Sequence, residues 1–364
     1  MDETIVMVHG LWGGSWCWDN YKTFYEKMGY RCLTPTLRYH DADPVDEPDP
    51  RLGSVSLNDY ANDLENLIKN LDAPPILIGH SMGGLLAQIL ASRKLAKALI
   101  LLTPAAPQGI LSLTPSVVKS FWSLLTTWAF WRKSGRQTFK EAAYSTMGRL
   151  PPDQKMEVKD KLVHESGRVM FEIGFWYLDP REASRVDESN ITCPILIIAG
   201  AEDKITPASV VRKIADKYKE VAVYREFKNH GHWVVGEPGW ENIAAYSTQW
   251  LHTVLDAKRH EAAAGAEQRK NIRIPYRALI ALSSADPALD RQGKTENCSL
   301  HGIQFTSDIA IQPGATISVK LIDSTSGIAG PIGRDDRTVE VKWYKERKDA
   351  PLYNIGVQFA DMRA

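Results

Sequence analysis

The stretch Pro75-Ile76-Leu77-Ile78-Gly79-His80-Ser81-Met82-Gly83-Gly84 runs directly into Leu85-Leu86-Ala87-Gln88-Ile89-Leu90. Its first part is a short continuous apolar run, the pattern of a strand covered on both faces. Its last part has the composition of a helix. Between them, Gly79-His80-Ser81-Met82-Gly83 puts a serine at the apex of a strand-to-helix turn. Such a turn holds the serine backbone in a strained conformation that only small flanking residues allow. It lifts the hydroxyl above the sheet and sets the N–H groups of a helix start beside it. A hydroxyl so placed is suited to attack on a carbonyl carbon.

Working outward, Ile5–Val8, Tyr30–Leu33, Ala98–Leu102, Pro194–Ala199 and Val221–Phe227 read as further strands. Most are apolar without alternation, as in a parallel sheet covered on both sides. Helical patterns lie between them. Leu57, Tyr60, Ala61, Leu64, Leu67 and Ile68 recur at helical spacing, and Ser56 with Asp59 forms a capping-box pattern. Thr206-Pro207 reads as a cap followed by proline at the first helical position. The expected fold class is α/β, a doubly wound and mostly parallel sheet. From about residue 110 to 187 no strand signal appears, and Phe121, Trp122, Trp128, Phe130, Trp131, Phe171, Phe175, Trp176 and Tyr177 accumulate. This segment is expected to be a helical cap over the strand ends. Its aromatics are expected mostly to pack the cap onto the sheet, with a few lining an apolar pocket.

The pattern changes after residue 255. Residues 256–267, including Glu261-Ala262-Ala263-Ala264-Gly265-Ala266, have linker composition, with partial helical character. Beyond them Ile272, Ile274, Tyr276, Ala278 and Ile280 alternate, as do Val339, Val341 and Trp343. Thr316–Ile322 and Leu352–Phe359 are further strand candidates, punctuated by Pro313-Gly314 and Gly330-Pro331. Three segments are therefore expected: 1–255 as an α/β domain, 256–267 as linker, and 268–364 as a small antiparallel β domain.

Bulk numbers bound the function. The chain has 364 residues with 44 Lys and Arg against 44 Asp and Glu, so net charge gives no case for nucleic acid or an anionic membrane surface. Cys17, Cys32, Cys193 and Cys298 are scattered, without metal-ligand or disulfide spacing, which points to a reducing compartment. A strand begins at Thr4, which leaves no room for a signal peptide, and the apolar stretch 121–131 is too short and mixed to span a bilayer. A cytoplasmic protein without a metal site is expected.

A serine hydroxyl needs a base to take its proton, and the base needs an acid to hold its tautomer. On a sheet with such a turn, the order is serine, acid, histidine. Ala201-Glu202-Asp203 follows a late strand. Asp203 is placed to project from the loop past the strand end, and Glu202 is the alternative. Asn229-His230-Gly231-His232-Trp233 offers two competing bases, His230 and His232. Developing oxyanion charge needs N–H donors, expected from Met82 and, in His9-Gly10-Leu11-Trp12-Gly13-Gly14, from Leu11. His9 is expected to be structural. His40, His164, His252 and His260 are expected at the surface.

Together, His9-Gly10, Gly79-His80-Ser81-Met82-Gly83-Gly84, Gly200-Ala201-Glu202-Asp203 and Gly231-His232 resemble the α/β-hydrolase superfamily, over roughly residues 1–255. In that family the base follows a glycine, which favours His232. Val8-His9-Gly10-Leu11-Trp12-Gly13-Gly14-Ser15-Trp16-Cys17-Trp18 looks like the small esterase and hydroxynitrile-lyase branch. A serine nucleophile argues against haloalkane dehalogenases and epoxide hydrolases. The resemblance implies an esterase, lipase or thioesterase that needs no catalytic cofactor.

At the other end, Arg269-Lys270-Asn271-Ile272-Arg273 spaces two arginines four residues apart, and Asn297-Cys298-Ser299-Leu300-His301-Gly302 follows about one hairpin later. Arginine's planar fork binds phosphate oxygens in pairs and reads the guanine O6/N7 edge. Read alone, two basic residues suit a solvated face, and Asn-x-Ser-x-x-Gly is common turn chemistry. Together they resemble the PilZ family, a small β-barrel that binds cyclic di-GMP. The resemblance implies binding through Arg269, Arg273, Asn297, Ser299 and Gly302, and a bacterial origin. The expected protein is a serine hydrolase of an ester or thioester with an apolar moiety, regulated by cyclic di-GMP. The alternatives are a catalytically weak effector using the hydrolase fold as a protein-interaction surface, and a lyase using the same triad.

Overall fold

The computed structural model describes residues 3–218, 220–264, 274–275, 279–283, 291–299, 302–323, 337–347 and 352–359. The chain divides into two compact units, Met1–Thr248 and Gln249–Ala364. The helix Trp240–Ala264 takes in most of the stretch with linker composition.

The first unit is built on β1 (Thr4–Val8), β2 (Arg31–Leu33), β3 (Ile76–His80), β4 (Ala98–Leu102), β5 (Ile195–Gly200) and β6 (Ala222–Phe227). Their order is β2-β1-β3-β4-β5-β6 and every pairing is parallel. β3, β4 and β5 are buried at every residue, which is why their sequences are apolar without alternation. The chain first builds outward from β1 to β2, then returns to the other side with β3. The C-terminal ends of β1 and β3 therefore flank a switch point, where such sheets hold ligands. The helix Leu57–Lys69 carries the expected capping box, with Ser56 Oγ accepting from Asp59 N–H at 3.2 Å and Asp59 Oδ2 accepting from Ser56 N–H at 2.9 Å.

The cap lies between β4 and β5. It contains the helices Pro115–Ser120, Trp122–Leu125, Phe139–Tyr144, Pro152–Lys161 and Gly167–Gly174. One small exception to an all-helical cap is the antiparallel pairing of Ser134–Gly135 with Glu165–Ser166. Trp12, Leu124, Phe130, Leu162 and Met170 form the core beneath it. Trp122 and Trp128, by contrast, are 60% and 84% exposed, against the expectation that cap aromatics pack inward.

Two buried carboxylates bind the cap to the sheet domain. Glu172 accepts from Leu57 N–H at 2.8 Å, supplying an acceptor at a helix start. Glu165 accepts from the Tyr60 hydroxyl at 2.7 Å and lies 3.1 Å from His40 Nε2. His40 is therefore not a surface residue; it is buried, with Nδ1 donating to the Arg38 carbonyl at 3.1 Å and its ring against those of His9 and Tyr60. Burial alone would lower its pKa, but the charge and hydrogen bond of Glu165 outweigh this and raise it. The raised pKa makes the pair's contribution complete below about pH 6.5, the unperturbed histidine value, and lost as pH rises through the folded-state pKa. His40→Ala is expected to cost about 3 kcal/mol, because it leaves a buried carboxylate unpaired. The gap in Tm between wild type and variant should shrink from pH 6 towards pH 9, as measured by calorimetry. A gap that widens with pH would contradict a protonated His40.

The second unit is an antiparallel barrel of β7 (Leu279–Ser283), β8 (Arg291–Ser299), β9 (Gly302–Ser307), β10 (Thr316–Asp323), β11 (Arg337–Glu346) and β12 (Tyr353–Phe359). The order β7-β10-β11-β12-β9-β8 closes through the β7–β8 pairing, and Ile274–Pro275 adds to the side of β8. Ile280, Leu282, Ile303, Phe305, Ile317, Val319, Val339, Val341, Ile355 and Val357 are buried at alternating positions and fill the interior.

Candidate active site

Ser81 stands at the end of β3 with φ 54° and ψ −120°, immediately before the helix Met82–Ser92. A non-glycine residue at positive φ is strained. The strain is held by the packing of the helix against β1: a Cβ on Gly83 would lie 2.0 Å from the Val8 carbonyl oxygen. Gly10, past the end of β1, packs against the serine, since a Cβ there would meet Ser81 Cβ at 2.9 Å. The loop carrying Leu11 is thus brought against Ser81. Met82 opens the helix, so its N–H is among those with no acceptor within the helix.

His232 and Asp203 complete the row. The Ser81 hydroxyl lies 3.0 Å from His232 Nε2, and His232 Nδ1 lies 2.7 Å from Asp203 Oδ2. All three residues are buried. The competing candidates go elsewhere. Glu202 is exposed and meets Arg149 at 3.1 Å, while His230 Nδ1 meets Glu237 Oε1 at 3.0 Å. Glu237 also accepts from Gly231 N–H at 2.8 Å, which fixes the loop just before His232.

Both oxygens of Asp203 meet donors or hydroxyls around them. Oδ1 accepts from Ile205 and Thr206 N–H at 2.7 and 2.9 Å, and Oδ2 lies 2.8 Å from the Thr206 hydroxyl. Thr206 is therefore not the helix cap that its position before Pro207 suggested. The helix is Ala208–Lys217 with Pro207 at the cap position, and the hydroxyl turns to Asp203 and to the Thr103 carbonyl at 3.0 Å.

Sequence reasoning missed two supports. His80 Nε2 donates to the His232 carbonyl at 2.8 Å, and the Thr103 hydroxyl donates to the same oxygen at 3.2 Å. Burial and the neighbouring His232 lower the His80 pKa to about 3, so it acts as a neutral donor. His9 is structural, as expected. Its Nε2 accepts from Leu37 N–H at 3.1 Å, Nδ1 faces the Gly10 carbonyl at 2.9 Å, and burial lowers its pKa to about 3. His80 lies inside the decisive pentapeptide, but nothing in a spacing says where a ring points.

A cavity opens over Ser81. Leu11, Met82, Val117, Phe121, Phe130 and Phe175 are among its walls, and Ser81, Ser112 and Thr206 supply its hydroxyls. No charged residue lines it among the described residues. Such a site favours a neutral, apolar group next to the serine. Among the described residues no group of His, Cys, Asp and Glu could hold a metal ion. No described helix is long and apolar enough to cross a membrane.

In the second unit, Arg269 and Arg273 lie outside the described residues. Asn297 and Ser299 lie at the end of β8 and Gly302 opens β9; Asn297 pairs with Gln304 and Ser299 with Gly302. Asn297 and Ser299 thus stand in β8, and Gly302 in the antiparallel strand paired with it.

A family model described as "Alpha/beta hydrolase family" matches residues 5–245, and one described as "PilZ domain" matches residues 267–364. Methylesterase 4 from Arabidopsis thaliana is 36% identical over 91 residues, 24% of this chain and 33% of that protein. The chain thus spans about a third of the length of this curated relative. Two solved structures share the fold. A methylesterase from Arabidopsis superposes with a TM-score of 0.52 at 14% identity, over 69% of this chain and 99% of that one. A lipase described as putative, from Acinetobacter baumannii, superposes with a TM-score of 0.53 at 20% identity, over 70% and 85%. Over residues 5–245 the chain belongs to the alpha/beta hydrolase family, and over residues 267–364 it carries a PilZ domain.

Proposed function

We propose that this protein is a serine hydrolase of carboxylic esters or thioesters, with residues 1–255 catalytic and 268–364 sensing cyclic di-GMP. The observation that carries the reading is the buried row Ser81–His232–Asp203, at 3.0 and 2.7 Å. His232 Nε2 takes the proton as Ser81 Oγ attacks the carbonyl carbon. The oxyanion is held by the N–H groups of Leu11 and Met82. His232 then gives the proton to the leaving oxygen or sulfur, and the acyl group is left on Ser81. A water, deprotonated by the same histidine, releases it. Asp203 holds His232 with Nδ1 protonated and stabilises the imidazolium.

An acyl-chain series of p-nitrophenyl esters tests this reading. Hydrolysis is expected, with kcat/KM rising as the chain lengthens from acetyl, by up to about 0.8 kcal/mol or roughly fourfold per buried methylene until the pocket is filled. A flat or falling series would argue against an apolar acyl subsite.

The methylesterase and lipase relatives agree with this class. For the sensor, the PilZ match and the pattern Arg269-x-x-x-Arg273 with Asn297-x-Ser299-x-x-Gly302 support binding of cyclic di-GMP. Arg269→Ala is expected to weaken binding, measured by calorimetry, by about 2 kcal/mol, or roughly 30-fold, because one bidentate phosphate or guanine contact is lost. Both arginines directly follow the linker, so nucleotide binding is expected to change turnover. Unchanged turnover at saturating cyclic di-GMP would remove the regulatory part and leave the hydrolase part standing. A bacterial, cytoplasmic setting accords with such a ligand.

A further inference from the structure

The cap has an outer face that the reaction does not use. Trp128 is 84% exposed, Trp122 60%, and Tyr177 51%. Trp128 and Tyr177 belong to one run of ring contacts. The Trp128 ring contacts Trp131 at 6.3 Å, Trp131 contacts Phe171 at 6.1 Å, Phe171 stacks on Phe175 at 5.6 Å, and Phe175 contacts Tyr177 at 6.3 Å. Phe175, and Phe130 which contacts Trp131 at 5.6 Å, line the cavity over Ser81. One aromatic surface therefore runs from solvent to the place where the acyl group would lie.

Charge distinguishes this part of the sequence further. Between Asp72 and Glu141 the chain has no acidic residue at all, while Lys119, Arg132, Lys133, Arg136 and Lys140 fall within the cap. All five are exposed. The Glu141 carboxylate that ends this run is occupied by the N–H and hydroxyl groups of Ser123 and Thr138. A net charge of zero over the whole chain conceals this local imbalance. Tryptophan and tyrosine settle at the headgroup level of a bilayer, where an apolar ring and a polar N–H or O–H are both satisfied. Interspersed basic residues add attraction to anionic headgroups, on the order of 1 kcal/mol each. Exposed tryptophans with basic residues beside them in the chain, Arg132 and Lys133 directly after Trp131, suit a lipid surface of negative charge.

We infer that the outer face of the cap, centred on Trp122, Trp128 and Trp131 with Arg132 and Lys133, docks on an anionic lipid surface. Docking would present the cavity mouth to acyl chains. That consequence rests on the hydrolase reading, whereas the docking itself does not.

Co-sedimentation of the full-length protein with vesicles tests the docking. Vesicles of phosphatidylcholine with about 30% phosphatidylglycerol are expected to bind the protein at least tenfold better than phosphatidylcholine alone, with the gain lost in about 0.5 M NaCl. The double variant Trp122→Ser, Trp128→Ser is expected to lose about tenfold in partition while keeping wild-type hydrolysis of a short, soluble p-nitrophenyl ester. Arg132→Glu with Lys133→Glu should abolish the preference for phosphatidylglycerol. Ser81→Ala should bind vesicles like wild type, so failure of the hydrolase reading is seen separately. Equal partition on both vesicle types, no partition on either, or binding unchanged by the tryptophan substitutions overturns the inference.

Discussion

Ser81→Ala is expected to lower kcat for p-nitrophenyl ester hydrolysis by about 10⁴- to 10⁶-fold, with the thermal transition nearly unchanged. The size of the loss follows from the geometry. With no hydroxyl at 3.0 Å, His232 has no nucleophile to deprotonate, and the remaining N–H groups at Leu11 and Met82 can only polarise a carbonyl for attack by water. His232→Ala should cost a similar factor, and the double variant should be no worse than either single one, because the two residues act as a unit. Asp203→Asn is expected to lose about 10⁴-fold, since an amide at 2.7 Å from Nδ1 no longer enforces the tautomer with its proton on Nδ1. Additive losses, or activity surviving Ser81→Ala, would place the chemistry elsewhere. Retained activity after His230→Ala would separate the two histidines, although His230 supports the loop through Glu237.

The sheet and the turn were legible because both rest on local pattern. Strands buried on both faces must be largely apolar, and Ile76–Ile78 and Ala98–Leu102 are. What the sequence did not disclose depends on where a polar side chain points after the chain has closed on itself. His40 looked like any loop histidine until the cap, 125 residues away, brought Glu165 to it. Thr206 had the position of a cap and the job of a carboxylate partner. β8 escaped for a different reason. Its inward positions include Gly293 and Thr295, so the alternation is one of burial and not of hydropathy. The tryptophans of the cap show the same limit in reverse, since a count of large apolar residues cannot tell an inner face from an outer one.

Gly83→Ala is expected to be among the most disruptive single methyls in the first unit. A Cβ there would fall 2.0 Å from the Val8 carbonyl and 2.5 Å from that of His9, both backbone atoms of β1 and its exit loop. No rotamer relieves the overlap, because the methyl has none and the oxygens are fixed by the sheet. The helix Met82–Ser92 must therefore lift off β1, and ten of its eleven residues are buried. A loss of more than about 4 kcal/mol is expected, read as a Tm drop of ten degrees or more or as failure to accumulate folded protein. Any folded fraction should still hydrolyse esters about 10²-fold more slowly, since the same helix carries the Met82 N–H and sets the strained turn at Ser81. Gly174→Ala is the matched control, because its nearest neighbour, a Leu113 side-chain carbon, is 3.8 Å away, and it should be close to neutral. If both variants melt alike, the contact of this helix with β1 is not what holds Ser81 in its strained conformation.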